Sequence, residues 1–161
     1  MNIRVGFGYD VHAFADDREL WLGGVRIAHT QGLLGHSDAD VLIHAICDAL
    51  LGAANLRDIG FHFPDTSADN KGIDSKILLS QTIKLLRDSG YELGNIDATV
   101  VAEQPKLGPY IPAMQQALAE AMQVAANDIS IKATTSEKLG FTGRCEGIAA
   151  YATVLISREG C

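Results

Sequence analysis

The sequence predicts an α/β sandwich: a mixed β-sheet with helices on one face. Two observations carry this. Strand-like segments alternate along the chain with segments of helical apolar spacing. No linker, repeat or low-complexity stretch divides the 161 residues, so a single domain over residues 1–161 is expected, large enough to bury a core.

The elements follow in order. Ile3 to Phe14 alternates and predicts a strand. Leu20-Trp21-Leu22 and Val25-Arg26-Ile27 flank Gly23-Gly24 and predict a hairpin. A polar loop from Gly32 to Asp38 follows, with Ser37 or Asp38 as the expected cap of a helix near Asp40 to Ala53. That helix carries an apolar face of Val41, Leu42, Ala45, Ile46, Ala49 and Leu50. Leu56 to Asn70 lacks periodicity and predicts a loop of the kind that carries function. Ser75 to Asp88 predicts an amphipathic helix packing through Ile77, Leu78, Ile83, Leu85 and Leu86, with Gly90 at its C-terminal cap. Ile96 to Ala102 predicts a strand. Pro112 to Gln123 predicts a helix whose start is marked by Pro109 and Pro112. Ile129 to Thr134 and Ile148 to Ile156 predict the last strands.

Composition narrows the function. Hydrophobic residues make up 47% and charged residues 20%, as in a folded globular protein. The net charge of -7 and the lack of a basic patch argue against a nucleic-acid partner. Three cysteines, Cys47, Cys145 and Cys161, without CxxC spacing form neither a disulfide framework nor a zinc ribbon, and suit a reducing cytoplasm. Cys47, in an apolar helical run, is expected in the core. The longest apolar stretch, Val41 to Ala54, is broken by His44 and Asp48 and too short to cross a membrane, and no leader is seen before the first strand.

Asp10 and His12 lie two apart in a strand, so both side chains leave one face. A carboxylate and an imidazole form part of a zinc site, which needs a third ligand. His44 is the candidate. It shares a helical stripe with Asp40 and Asp48, and two readings stand: three solvated positions, or a ligand oriented by an acidic neighbour. His36 is close enough in sequence to point at the same place, whereas His29 and His62 carry no supporting pattern. The run Lys132 to Arg144 is dense in hydroxyls and includes Glu137; it reads as a phosphate and cation site or as a hydrophilic turn. Ala102 to Pro109 is a stiff loop able to read a flat heterocycle or simply to connect a strand to a helix.

Five segments, in order, resemble the 2C-methyl-D-erythritol 2,4-cyclodiphosphate synthase family of non-mevalonate isoprenoid biosynthesis. They are Gly8-Tyr9-Asp10-Val11-His12, Gly35-His36-Ser37-Asp38-Ala39-Asp40, Asp58-Ile59-Gly60, Phe63-Pro64-Asp65-Thr66 and Lys132 to Gly147. The resemblance implies a metal-dependent, cyclising phosphorus–oxygen lyase that releases CMP from a cytidine diphosphate derivative. It implies a cytoplasmic homotrimer with sheets facing the threefold axis and active sites shared between subunits. By position, Asp10, His12 and His44 resemble the zinc ligands, and Glu137 the ligand of a second cation, Mg²⁺ or Mn²⁺. His36 and Thr135 resemble the transition-state stabilisers. Ser37, Asp58, Ile59, Gly60, Phe63, Asp65, Phe141 and Arg144 resemble substrate-binding residues. Ala102, Pro105, Lys106, Leu107, Ala133 and Thr134 resemble the nucleotide pocket. Arg144 and Glu146 resemble residues that gate an axial cavity for an isoprenoid diphosphate. The chain departs from the commonest family pattern at Tyr9, Asn70, Glu103, Gln104 and Cys145.

Overall fold

The computed structural model describes residues 2–66 and 72–158; Asn70 lies outside them. Strand β1 spans Asn2–Ala15, followed by the hairpin β2 (Leu20–Leu22) and β3 (Val25–Ile27), then β4 (Gly32–Leu33). Helix α1 is Val41–Ala53, α2 is Ile59–His62 and α3 is Ser75–Asp88. Strand β5 (Glu92–Val101) leads through a 3₁₀ turn at Gly108–Tyr110 into α4 (Ile111–Met122). A second 3₁₀ turn, Ala126–Asp128, precedes β6 (Ile129–Thr134), then come α5 (Gly140–Gly143) and β7 (Gly147–Arg158).

The main sheet is mixed, in the order β4-β1-β7-β5-β6. β7 runs antiparallel to both β1 and β5, and β5 runs parallel to β6. The chain ends of β1, β5 and β6 therefore lie at one end of the sheet, and the loops that follow them gather there.

Position parity along β1 divides its two roles. Gly6 and Gly8 are buried against α1, while Val5, Phe7, Tyr9 and Val11 stand exposed on the other face. A Cβ at Gly6 would overlap the Ala49 carbonyl oxygen, and one at Gly8 the Ala45 carbonyl oxygen. Two glycines and a row of alanines thus let α1 lie directly on the backbone of β1. On the helix, Leu42, Ile43, Ile46 and Leu50 are fully buried. Each such side chain contributes roughly 1.5–3 kcal/mol of transfer free energy. α1 is buried nearly all round because α3 covers the side turned away from the sheet.

Several expectations need correction. Asp40, not Ser37 or Asp38, caps α1, accepting the Ile43 N–H at 3.0 Å. Ala39 has a left-handed backbone (φ 59°), which stops the helix from extending further towards its N-terminus. The segment expected as an uninterrupted loop contains α2, nucleated by the Asp58 cap, which accepts from Phe61 N–H. Ile77 of α3 is exposed and Leu85 only partly buried; the helix packs through Leu78, Ile83 and Leu86, as expected, together with Leu79 and Thr82. Gly90 does follow α3 with φ 79°, and Cys47 is fully buried. Among the described residues, no helix is long and apolar enough to cross a membrane.

Candidate metal centre and flanking clefts

Asp10 and His12 continue the Gly6–Gly8 row towards the end of β1, so both face α1. His44 precedes Ala45, the residue seated on Gly8, and the close helix–strand contact carries its ring to the same point. Asp10 Oδ2 lies 3.0 Å from His12 Nε2 and 3.0 Å from His44 Nδ1, and the two nitrogens lie 3.2 Å apart. A tetrahedral ion with ligand bonds of about 2.0–2.1 Å separates its ligand atoms by about 3.3 Å. The three side chains thus fit zinc almost without movement, and they form a cluster able to hold a metal.

The far side of each ring is anchored. His12 Nδ1 donates to the Leu34 carbonyl at 2.8 Å. His44 Nε2 meets the Ser75 hydroxyl at 3.1 Å and the Ser37 hydroxyl at 3.2 Å. The acidic neighbour expected to orient His44 does not do so. Asp40 instead accepts from the Gly23 and Gly24 N–H groups at 2.9 and 2.7 Å and ties the hairpin to α1. Asp48 accepts from Ile59 N–H at 2.7 Å and anchors α2. Burial raises both carboxyls above the usual range, helped by Asp38 for Asp40 and by Asp10 and Asp58 for Asp48, against the N–H groups that favour the charged forms.

Burial would raise the Asp10 carboxyl too. Hydrogen bonds from His12 and His44, and their fields, outweigh it and hold Asp10 well below the carboxylate range. Burial works against a charged His12, but the Asp10 carboxylate and the Leu34 carbonyl leave its pKa raised.

A cleft of about 440 Å³ opens beside the triad. It is lined by His12, His36, Ser37, His44, Ile59, Gly60, Phe63 and Asp65, together with Ile73, which sequence reasoning did not single out, and Leu78, which it singled out only for helix packing. A second cleft, about 310 Å³, collects Ala102, Pro105, Lys106, Leu107, Ala133, Thr134 and Thr135. Two β-strand ends make it: Ala102 N–H donates to the Thr134 carbonyl at 3.0 Å. Thr135 donates its hydroxyl to Glu137 at 3.0 Å. Glu137 and Lys138 both have left-handed backbone (φ 54° and 64°). Glu103 holds this turn, one carboxylate oxygen accepting the N–H groups of Ser136 and Lys138, both at 3.1 Å.

Within one chain, His36 and Thr135 therefore lie in different clefts. Phe141, on α5, and Arg144 line neither. Arg144 makes a two-pronged ion pair with Glu146 at 2.7 and 3.1 Å, which raises the guanidinium pKa and lowers that of the carboxyl.

The YgbB family pattern matches residues 3–157. A 2-C-methyl-D-erythritol 2,4-cyclodiphosphate synthase of Parabacteroides distasonis is 76% identical over 160 residues, covering 99% of each chain. The Bacteroides fragilis synthase is 68% identical, covering 98% of this chain and 99% of its own. Among solved structures, the bifunctional IspDF of Campylobacter jejuni is 46% identical with a TM-score of 0.94; the match covers 98% of this chain and 42% of that longer one. The Plasmodium falciparum IspF–CDP complex is 33% identical with a TM-score of 0.86, over 99% and 98% of the two chains. These matches span the triad, both clefts and every strand of the sheet, and the chain belongs to the YgbB family of 2C-methyl-D-erythritol 2,4-cyclodiphosphate synthases.

Proposed function

We propose that this synthase works with zinc at Asp10, His12 and His44 and with Mg²⁺ or Mn²⁺ at Glu137. The observation that carries the zinc assignment is the ligand triangle with sides of 3.0, 3.0 and 3.2 Å, each imidazole anchored behind. The substrate is 4-diphosphocytidyl-2C-methyl-D-erythritol 2-phosphate. An oxygen of its 2-phosphate bonds to the β-phosphorus; the bond from that phosphorus to the bridging oxygen breaks, and CMP leaves with the electron pair. The bound cations supply Lewis-acid polarisation and neutralise the clustered phosphate charge.

The protein's own groups supply position. His36 and Ser37 share the metal cleft with His12 and His44; His36, with Thr135, stabilises the reacting phosphate in the transition state, and Ser37 contacts the substrate. Asp58 and Asp65 offer carboxylates to sugar hydroxyls, and Ile59, Gly60 and Phe63 shape the wall behind them. The loop at Ala102, Pro105, Lys106 and Leu107, with Ala133 and Thr134, takes the cytidine. Thr135 and Glu137 meet the diphosphate, with Phe141 and Arg144 at the margin. Attack within one molecule makes orientation the main catalytic contribution. A phosphate dianion is already a nucleophile, so a general base is unnecessary. Water must be kept out, because hydrolysis competes with ring closure.

A homotrimer with shared sites explains why the two clefts are apart. They sit at one end of the sheet, but β7 and β5 intervene between β1 and β6, a separation on the order of 14 Å. The open sheet face exposes Val5 (64%), Phe7 (65%), Tyr9 (42%) and Tyr151 (38%), an apolar patch suited to a subunit interface. Sheets turned towards a threefold axis would cover this face and set one subunit's metal cleft beside its neighbour's nucleotide cleft. The axis would then be able to take an isoprenoid diphosphate beside Arg144 and Glu146; isothermal titration with geranyl diphosphate giving no heat counts against that ligand. The enzyme is assigned to the cytoplasm.

³¹P NMR of the substrate with protein and Mg²⁺, before and after chelation, tests the reading. CMP and a cyclic diphosphate should appear and be lost on chelation. Inorganic phosphate or linear products would point to a hydrolase. Unchanged substrate with zinc-loaded, folded protein would mean a binding protein.

A further inference from the structure

Ser75 is the first residue of α3 and is fully buried. Its N–H donates to Asp38 Oδ2 at 2.9 Å, and its hydroxyl donates to Asp38 Oδ1. A hydroxyl has one proton to give. With that proton committed to a carboxylate, which cannot donate in return, Ser75 Oγ faces His44 Nε2 at 3.1 Å as an acceptor only. Nε2 must then carry a hydrogen, and Nδ1, the nitrogen 3.0 Å from Asp10, is the one whose lone pair a metal would take in place of the proton shared with Asp10.

Ser37 also lies near Nε2, at 3.2 Å, but nothing fixes its polarity in the same way. Its oxygen accepts the Ala39 N–H at 3.1 Å, and its proton remains free to turn. The backbone adds a second constraint on Asp38. Asp38 N–H donates to the Ile73 carbonyl at 3.2 Å, and Gly72 N–H to the His36 carbonyl at 2.8 Å. The His36–Asp38 loop and the start of α3 are thus laced together on both sides of the Ser75 hydroxyl.

We propose that Ser75, oriented by Asp38, is a positioning residue that selects the Nε2–H tautomer of His44 and so aims Nδ1 at the metal. It matches what the Leu34 carbonyl does for His12, by a side-chain relay in place of a backbone group. The proposal rests on reading Asp10, His12 and His44 as the zinc site.

The test combines zinc affinity, by competition with a chromophoric chelator, with long-range ¹H–¹⁵N NMR of the imidazoles in zinc-loaded wild-type protein. The expected results are an Nε2–H signal for His44 and a zinc affinity about 10–100-fold weaker in Ser75→Ala. Ser75→Thr, which keeps the hydroxyl, should restore affinity. An Nδ1–H tautomer overturns the proposal, as does a folded Ser75→Ala with wild-type zinc affinity; a purely structural serine would lower the melting temperature and leave that affinity alone. If Ser75→Ala does not fold, the wild-type tautomer decides. Wild-type protein that takes up no zinc overturns the metal reading and this proposal together, whereas normal zinc binding with unchanged Ser75→Ala overturns this proposal alone.

Discussion

His12 and His44 turn unlike nitrogens to one point: Nε2 of the strand residue lies 3.2 Å from Nδ1 of the helix residue. The strand places a ring whose far tip reaches the site, and the helix places one whose near nitrogen does. Asp10→Ala or His44→Ala removes a proposed zinc ligand without opening the core, because both positions are only partly buried. Zinc content after dialysis and turnover should both collapse. Stability of the metal-free protein should change by about 1 kcal/mol or less. Metal analysis beside circular dichroism checks this; an unfolded variant would contradict it.

Gly8→Ala puts a methyl group into the Ala45 carbonyl. The helix must move, at a cost of about 1–3 kcal/mol or more, and the movement carries His44 away from Asp10 and His12. Melting temperature and zinc content should fall together. A variant with wild-type values for both would show that α1 can shift without disturbing the triad.

On the proposed zinc reading, the metal must displace a proton that Asp10 helps His12 to keep. The His12 pKa is raised above its ordinary 6.5, so zinc affinity should weaken as pH falls through a midpoint higher than 6.5. Titration calorimetry in buffers of different ionisation enthalpy should show proton release on binding near that midpoint. Affinity independent of pH from 6 to 8 would be incompatible with the Asp10–His12 pair.

Burial pushes the Cys47 thiol up from 9.0 to about 12. The folded state then keeps a proton that the unfolded state loses, so this contribution to stability is full below pH 9.0 and is lost as pH rises from 9.0 towards 12. Alkylation at pH 9 should mark Cys145 in native protein and Cys47 only after unfolding, as peptide mapping would show. Rapid labelling of Cys47 in native protein would mean that the core opens readily.

Glu103→Ala strips the partner from two N–H groups of the turn that carries Glu137. Hydrogen bonds to a charged group contribute roughly 1.5–3 kcal/mol each, so the turn should loosen. Turnover and Mn²⁺ affinity should drop at least tenfold while zinc content stays normal. Unchanged Mn²⁺ affinity would separate Glu103 from the second cation.

Most of the fold was legible because its signals are local: alternation in β1, the Gly23-Gly24 turn, and the apolar stripes of α1 and α3. Asp10 and His12 were legible because two positions on one strand share a face. The partners that complete the site were not, because they lie far away in the chain. Ser75 is 31 residues from His44 and 37 from Asp38, and reads locally as an ordinary helix start. Glu103 is 33 residues from Ser136 and seemed only an unusual neighbour of the nucleotide loop. The stripe of Asp40, His44 and Asp48 misled for a similar reason. Shared helical spacing says nothing of the backbone N–H groups at Gly23, Gly24 and Ile59 that claim the two carboxylates.

The parity of β1 ties the candidate metal site and the exposed apolar face to the same count. Even positions carry the helix seat and two residues of the candidate metal cluster, while odd positions carry the apolar face. Deleting Tyr9, between Gly8 and Asp10, would turn Asp10 and His12 onto the outer face and bring Val11 and Ala13 against α1. Such a frame error would disrupt the proposed metal site and the exposed apolar face in one step. A library that varies only odd positions, by contrast, would alter the exposed face while leaving Asp10 and His12 in place.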